Sequence, residues 1–233
     1  MKTFKEAKYL IIKNAISKDM ALLGLNYLII KKQVLQTLKN NRIISPYEET
    51  LFGTLGDSQI PIKETYCCYS DLLMETFLIK LLPLMCEKTK LDLVPMYSYT
   101  RLYTYGSILK RHKDRASCAI STTLNLGGDK WPIYLDPTGQ SNIIPGAGEH
   151  IEESKRLIKN PNKGIRVDLN PGDMLIYKGC ELEHWREPFT GEECGQVFLH
   201  YNEKSKTKNV FDGRVHVGYP LNNRRDKLPF LGN

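Results

Sequence analysis

The stretch from Tyr105 to Leu126, "YGSILKRHKDRASCAISTTLNL", places a histidine and an aspartate two residues apart, just before a run typical of a β-strand. If His112 and Asp114 lie on a strand, their side chains point to the same face, because successive side chains alternate. A histidine and a carboxylate on one face serve either as surface polar groups or as two members of a metal site. The rest of the chain decides between these interpretations.

A third metal-ligating side chain follows in the segment "GDMLIYKGCELEHW", where His184 comes after a strand-like run. Two imidazoles and one carboxylate leave coordination positions open, and this set suits non-haem Fe(II) that must also bind a co-substrate and oxygen. Zinc uses similar ligands, and an H-x-D triplet is common by chance. His112, Asp114 and His184 therefore predict a metal site without fixing the metal.

The first part of the chain predicts two helices. Residues 18–40 have an amphipathic pattern with Ser17 as the N-cap. A second helix begins with Ser70 as its cap and Asp71 in its first turn. Pro83 lies inside this second pattern, and we expect it to kink the helix.

The rest of the chain predicts a β-rich core. Residues 45–69 contain several glycines and prolines and predict a loop-rich connection, whereas residues 137–164 form one long insertion. Short strand patterns separated by turns favour a sandwich or barrel. They are "LVPMYSYTRLYTYG", "SCAISTTLNL", "WPIYLD", "IRVDL", "DMLIYKG" and "GQVFLHYN". We expect one domain in which the helices pack on a double-sheet core.

Composition indicates a soluble intracellular protein. The chain has 233 residues, 41% of them hydrophobic, which is enough for a full core. No apolar run reaches the roughly 18 residues that cross a bilayer, and the apolar stretch "YLII" near the start is too short for a signal peptide. The six cysteines form no C-x-x-C pair. Free thiols in the reducing cytoplasm are the simplest interpretation.

Positive charge is concentrated at the C-terminus. The net charge is +7, and residues 202–233 contain seven basic against three acidic residues. Such a segment either contacts nucleic acid or an acidic partner or forms a solvated terminal extension. The extension is the favoured interpretation.

A wider pattern surrounds the histidine and aspartate. The segment "LYTYGSILKRHKDR" resembles the Y-x-x-G-x-x-hydrophobic-x-x-H-x-D signature of the Fe(II)/2-oxoglutarate-dependent dioxygenases, in particular their prolyl 4-hydroxylase-like branch. The matching positions are Tyr103, Gly106, Leu109, His112 and Asp114.

The later histidine segment extends the likeness. The segment "NPGDMLIYKGCELEHWREP" is similar to the turn, strand and distal histidine of that family, and the resemblance covers roughly residues 95–202. The whole sequence also looks like small phage and bacterial members of this group.

The resemblance implies an α+β, mainly β fold. Its core would be a double-stranded β-helix, or jelly roll, with N-terminal packing helices. Residues 1–233 would form a single dioxygenase domain, with helical support in 1–92, the core in 93–202 and a basic extension in 203–233.

The resemblance also implies the chemistry. His112, Asp114 and His184 would be the catalytic residues and would hold Fe(II). The co-substrates would be 2-oxoglutarate, which is converted to succinate, and oxygen, with ascorbate as an accessory reductant. The substrate would be a protein or peptide side chain, with proline as the leading expectation.

The co-substrate contacts are the place where the sequence departs from the family. A lysine or arginine usually follows the distal histidine by around ten residues, but Gln196 stands at the best matching position here. Arg186 is the alternative, because on a strand it shares the face of His184; otherwise it is a surface arginine paired with Glu187. A buried carboxylate needs such a partner.

Hydroxyl groups complete the predicted co-substrate site. Tyr103 matches a tyrosine that often bonds the co-substrate in this branch. Thr123 matches a further donor, although strand alternation leaves Ser121, or Thr122 on the other face, as alternatives. Plain packing and strand polarity remain open for all four residues.

Other functions fit parts of the pattern. An oxygenase acting on nucleic acid or a small molecule would use the same chemistry, and the basic C-terminal segment favours nucleic acid. A non-catalytic, cupin-like metal-binding module is a third class. A zinc hydrolase is a fourth, and it would need a general base such as Glu183 or Glu187 near the metal.

We also expect His200 to serve in packing, Asn125 to line the cavity and Trp185 to pack on the outer layer.

Overall fold

The chain folds around antiparallel sheets, with helices on one outer face. The computed structural model describes residues 3–45, 49–56, 59–60, 62, 64–145 and 155–219. Parts of the predicted connection 45–69 and of the insertion 137–164 lie outside these ranges, as does the end of the basic segment. The helices are α1 (Phe4–Ala7), α2 (Lys18–Asn40), α3 (Glu49–Phe52) and α4 (Leu72–Thr89).

The two long helices match the predicted ones except at one cap. Ser17 caps α2 as predicted, since its side chain accepts a hydrogen bond from the backbone N–H of Met20. The prediction of Ser70 as the cap of α4 is wrong by one residue. The carboxylate of Asp71 accepts the first free N–H groups of this helix instead. Helix α4 then runs through Pro83 as one continuous element.

The strands were predicted best in the second half of the chain. They are β1 (Tyr9–Ile12), β2 (Thr54–Leu55), β3 (Tyr66–Tyr69), β4 (Leu93–Thr104), β5 (Leu109–His112), β6 (Ile120–Gly128), β7 (Ile133–Leu135), β8 (Ile143–Pro145), β9 (Lys155–Leu157), β10 (Ile165–Val167), β11 (Met174–Tyr177), β12 (His184–Arg186) and β13 (Glu193–Glu203). Each of the six predicted strand segments overlaps one of these strands, and β6 and β13 extend beyond the predicted segments. Strand β3 corrects the prediction of a loop-rich connection, because it pairs with β4.

The described strands form a large and a small antiparallel sheet. The large sheet has the order β1-β11-β6-β13-β4-β3-β2, and the small one has the order β10-β7-β12-β5. Strands β8 and β9 form a separate pair. Mixed helix and mainly antiparallel strand content agrees with the predicted α+β class.

Alternation along β6 separates a helical side from an inner side. Leu124 and Leu126 belong to the main hydrophobic core, together with Leu28 of α2 and Phe77 of α4. The side chains of Ser121 and Thr123 point to the opposite face, as the alternation predicted. Buried polar groups on that inner face make their contacts with the small sheet, and the candidate site lies there.

The C-terminal segment is partly built into the fold. The guanidinium of Arg214 is buried and lies 3.0 Å from a carboxylate oxygen of buried Glu75 on α4. Asp212 bonds Arg115, directly after Asp114, at 2.7 Å. The prediction of a solvated extension is therefore wrong for Arg214. Arg224, Arg225 and Lys227 of the predicted basic segment lie outside the described residues.

Two further expectations concern cysteines and membranes. All six cysteines are present as thiols. In the described ranges, no helix combines the length and hydropathy that crossing a bilayer requires.

Candidate metal centre and its surroundings

The predicted trio comes together at one end of the small sheet. His112 ends β5, His184 begins β12, and the two are direct partners in the antiparallel ladder. Asp114 follows β5, and its backbone N–H donates to the carbonyl of Gly179 at 2.9 Å. The potential ligand atoms of the three side chains lie within 4.8 Å of one another. The geometry therefore fits a metal ion held by two imidazoles and one carboxylate.

The orientation of both imidazoles favours metal binding through Nε2. The Nδ1 atom of His112 lies 2.7 Å from the carbonyl of Lys110, and Nδ1 of His184 lies 3.1 Å from the carbonyl of Leu182. A ring nitrogen beside a carbonyl carries the proton, so Nε2 keeps its lone pair. Both Nε2 atoms face Oδ1 of Asp114, at 3.7 Å and 3.4 Å.

Burial and neighbouring charges keep His112 and Asp114 in their metal-binding forms. Burial, reinforced by His184, lowers the pKa of His112 to about 3, although the Asp114 carboxylate opposes this shift. Burial alone would raise the pKa of Asp114, but the nearby histidines, chiefly His184, hold it well below its usual value. A neutral imidazole and an ionised carboxylate are the forms that bind a cation.

The second oxygen of Asp114 is held from the large sheet. The hydroxyl of Ser121 lies 2.7 Å from Oδ2 of Asp114 and 3.0 Å from Nδ1 of His200. His200 also packs against the ring of Tyr97, with centroids 4.5 Å apart. Asp114, Cys118 and His200 form a second close group. Its Cys118 thiol is in contact with the Tyr97 hydroxyl at 2.9 Å.

Arg186 is buried and directed inward, as one of the two alternatives predicted. Its exposed fraction is 1%, and Nη2 donates to the Thr123 hydroxyl at 3.3 Å, while Nη1 donates to the carbonyl of Trp131. Its buried Nε has no hydrogen-bond partner. Among the described residues no carboxylate pairs with this guanidinium. The alternative of a surface arginine paired with Glu187 is wrong.

Gln196 is already engaged within the protein. Its Oε1 accepts from the Thr123 hydroxyl at 3.1 Å, and its Nε2 donates to Oδ1 of Asn125 at 3.2 Å. Asn125 in turn donates to the carbonyl of Leu169 and accepts from the N–H of Gly127. The amide of Asn125 therefore fastens a turn, which corrects the expectation that it lines the cavity.

A cavity of about 480 Å³ opens beside the three predicted ligands. Tyr177 lines it, with its ring centroid 4.7 Å from that of His184. Burial and the negative charge of Asp114 raise the pKa of Tyr177, whereas the positive charge of Arg186 opposes this shift. The phenol therefore interacts electrostatically with both groups. Sequence reasoning missed Tyr177, although alternation along "DMLIYKG" places it on the inner face with Leu175.

Arg101 is a second cavity-lining side chain that sequence reasoning missed. It lines the same cavity, and its Nη1 donates to the hydroxyl of buried Tyr103 at 3.3 Å. Its guanidinium lies 5.0 Å from the ring centroid of Tyr99 and 5.7 Å from that of Phe198. The alternation of residues 97, 99, 101 and 103 along β4 was the available signal.

The opposite face of the small sheet carries a buried ionic network. Arg111 lies 2.7 Å from carboxylate oxygens of both Asp136 and Glu183, and its guanidinium lies 4.1 Å from the ring centroid of Trp185. Trp185 is thus on the outer layer, as expected. Glu183 is bound in this network and Glu187 accepts from the Trp185 indole at 2.9 Å, so neither carboxylate faces the predicted metal ligands as the zinc hydrolase alternative requires.

Comparisons with known proteins give structural matches only. No family model and no curated protein matches the sequence. A prolyl-4-hydroxylase from Pseudomonas putida matches with a TM-score of 0.51 and 13% identity, over 86% of this chain and 95% of that chain. HygX from Streptomyces hygroscopicus, with nickel, 2-oxoglutarate and hygromycin B bound, matches with a TM-score of 0.54 and 14% identity, over 86% and 85% of the two chains.

A third match comes from nogalamycin biosynthesis. The epimerase SnoN, in complex with Fe³⁺, α-ketoglutarate and nogalamycin RO, gives a TM-score of 0.57 and 12% identity. The alignment covers 86% of this chain and 80% of that chain. These matches show a shared fold.

Proposed function

We propose that this chain, which has the fold of the 2-oxoglutarate-dependent oxygenases, is itself an Fe(II)- and 2-oxoglutarate-dependent dioxygenase of the prolyl 4-hydroxylase-like branch. In this proposal the two sheets form a jelly roll within a single domain of residues 1–233. Residues 1–92 support the core of 93–202, and 203–233 form the basic extension. The protein hydroxylates a protein or peptide side chain, with proline the leading expectation.

The observation that carries the proposal is the convergence of three donor atoms beside the cavity. Nε2 of His112, Nε2 of His184 and Oδ1 of Asp114 face one another, and each ring is oriented by a backbone carbonyl. Three protein ligands leave positions for a bidentate co-substrate and for oxygen. These residues would hold Fe(II).

The binding of 2-oxoglutarate is supported by the unpaired guanidinium of Arg186. A buried cation without a partner is costly, and the distal carboxylate of the co-substrate would supply that partner. Thr123 and Tyr103 would add hydroxyl contacts beside Arg186. The amide of Gln196 orients Thr123 rather than binding the carboxylate, because it is already bonded on both sides.

When bound, iron and 2-oxoglutarate would supply the oxidising chemistry. One oxygen molecule would convert 2-oxoglutarate to succinate and CO₂ and place a hydroxyl group on the substrate. Ascorbate would keep the metal reduced. The protein contributes orientation. The Ser121 hydroxyl, bonded to Oδ2, leaves Oδ1 of Asp114 for the metal. The aromatic side chains of Tyr99 and Phe198 form part of the cavity wall.

The direct test measures succinate formed by anaerobically iron-loaded protein after addition of 2-oxoglutarate and oxygen. Slow turnover without prime substrate is sufficient, so the substrate need not be known. We expect succinate from the wild type and none from His112→Ala. Absence of succinate from the wild type, together with no 2-oxoglutarate binding by calorimetry, would leave a non-catalytic metal-binding module.

A further inference from the structure

A second cavity, of about 560 Å³, runs along β5. Five consecutive residues, Ile108–His112, line it. Side chains of a strand alternate between its faces, so a groove that touches five in a row follows the edge of the strand and not one face. The backbone of β5 therefore borders this groove.

Strand β5 is the last strand on this side of the small sheet among the described residues. Its other edge pairs with β12. Outside that ladder, the one described hydrogen bond to the backbone of residues 108–113 is the contact between the Lys110 carbonyl and the His112 ring. Edge strands of this kind accept an extended chain as an additional strand.

The walls of the groove supply apolar surface and positive charge. Trp185 and Tyr134, stacked at 5.7 Å, line one side. Pro161 and Lys163 of the long insertion line it as well, and Lys110 projects from β5 itself. Lys110 and Lys163 are exposed and have no ion-pair partner among the described residues. An acidic ligand complements such a groove.

The groove leads to the candidate metal centre. It shares Gln59, Leu109 and His112 with the first cavity. The first cavity adds the cationic side chains of Arg101 and Lys113 near the donor atoms. A chain lying along β5 thus passes Lys110 and Lys163, with the carboxylate of Glu187 also on the groove wall, and ends beside His112.

We propose that an acidic peptide segment binds in an extended conformation as an added strand on the edge of β5 that faces away from β12. This binding delivers the side chain to be hydroxylated to the metal beside His112, and to that extent the inference rests on the proposed function. The backbone of the peptide pairs with β5, while its carboxylates face Lys110, Lys163 and the cations of the first cavity.

The test measures binding without catalysis. The full chain is loaded with Ni(II) and 2-oxoglutarate, and fluorescence anisotropy follows a labelled twelve-residue peptide of alternating Glu and Thr. We expect this peptide to bind about tenfold more tightly than its Lys-Thr counterpart. In an added strand, only every second backbone N–H of the peptide faces β5. Two methylated peptides are therefore compared, one N-methylated at every Glu and the other at every Thr. At least one of these two isomers should bind about tenfold more weakly than the unmethylated peptide.

Matched charge variants locate the site. Lys110→Glu should weaken binding of the Glu-Thr peptide by about tenfold. Lys18→Glu, which makes the same charge change at the start of α2, should not. Equal loss in both variants, or no effect of either methylated isomer, overturns strand addition at β5. Tighter binding of a twelve-residue oligothymidylate than of the acidic peptide would overturn the peptide in favour of nucleic acid.

Metal and co-substrate binding are measured on the same samples by calorimetry. If both bind but the peptide does not, the inference fails while the proposed function stands. If neither binds, the proposed function fails first.

Discussion

His112 and His184 are direct partners across two short strands, and their imidazole centroids lie 4.2 Å apart. A one-residue slip of β5 against β12 would turn one imidazole to the opposite face, where Arg111 and Trp185 now lie. The register of a few ladder residues therefore sets the geometry of the candidate metal centre. The sheet, rather than a loop, holds two of its three donors.

Loss of His112 should abolish metal binding while sparing the fold. His112→Ala is expected to weaken Ni(II) binding by more than about 100-fold, since even an outer partner of a metal ligand contributes 10–100-fold. Isothermal calorimetry measures the affinity. His216→Ala, at an exposed histidine of the C-terminal segment, is the control. Equal affinities of both variants would remove His112 from the donor set.

Arg186→Met should separate co-substrate binding from metal binding. The dissociation constant of 2-oxoglutarate is expected to rise about 100-fold or more, because breaking a buried charge pair costs roughly 3–5 kcal/mol. Ni(II) affinity should stay unchanged, and the melting temperature without co-substrate should not fall, since the variant removes a buried unpaired cation.

Gln196→Leu provides the comparison for Arg186. Because the amide of Gln196 contacts Thr123 and Asn125, this variant should raise the dissociation constant much less than Arg186→Met. A larger effect of Gln196→Leu would make the glutamine the carboxylate anchor.

The position of the Asp114 side chain leaves no room for a side chain at residue 179, which is a glycine. A Cβ at residue 179 would stand 2.2 Å from Oδ2 of Asp114 and 2.6 Å from Oγ of Ser121. Gly179→Ala should therefore displace the carboxylate and lower Ni(II) affinity by about 10–100-fold. Gly24→Ala, whose Cβ would meet a flexible leucine at 3.3 Å, is the control. Unchanged affinity in Gly179→Ala would show that Asp114 can move without loss.

The buried pair of Arg214 and Glu75 should stabilise the fold. Arg214→Met leaves the Glu75 carboxylate buried with only N–H donors, those of Ser98 and Gly218. We expect the free energy of unfolding in urea to fall by about 3–5 kcal/mol. The double variant Glu75→Gln/Arg214→Met should recover part of this loss. Additive losses would mean that the two groups act independently.

Acid should weaken the network around Asp136. Burial opposes ionisation, but hydrogen bonds from Thr138 and Asn162 and the charge of Arg111 lower the pKa of this carboxyl in the folded protein. The unfolded chain, with an aspartate pKa of about 3.9, then binds more protons. This stabilisation is therefore present at neutral pH and is lost as the pH falls through about 4 and below.

Urea unfolding from pH 7 to pH 3 measures this loss. Asp136→Asn should be less stable than the wild type at pH 7 and should show a shallower decline on acidification. Parallel curves for the two proteins would contradict a role for Asp136 in the pH dependence.

The β core was predicted because strand patterns are local, whereas the trio was predicted from its residue types together with the family resemblance. Asp114 follows β5 instead of lying on it, so strand geometry does not account for its place beside His112, whereas strand alternation and turn residues are local signals. Arg186 was predicted as an inward residue from that alternation. The assignment of Ser70 as the helix cap failed by one position, because neighbouring serine and aspartate side chains both accept from free N–H groups and Asp71 is the cap.

Features that depend on distant contacts were missed. Strand β1 is short and half-buried, and its pairing with β11 has no local signal. The network of Arg111 joins β5 to the residue that follows β7 and to the segment before β12, so charge pattern alone does not indicate it. The link from His200 through Ser121 to Asp114 likewise crosses from the large sheet to the small one.

The pairing of β4 with β13 has a consequence for the order of folding. These strands form the longest ladder of the large sheet, and their partners are roughly a hundred residues apart in the chain. A nascent chain that ends before residue 193 has no β13, so β4 and β6 both keep an open edge. The large sheet can therefore be completed only after residues 193–203 have been synthesised, and until then the open edges of β4 and β6 are sites where other strands can pair.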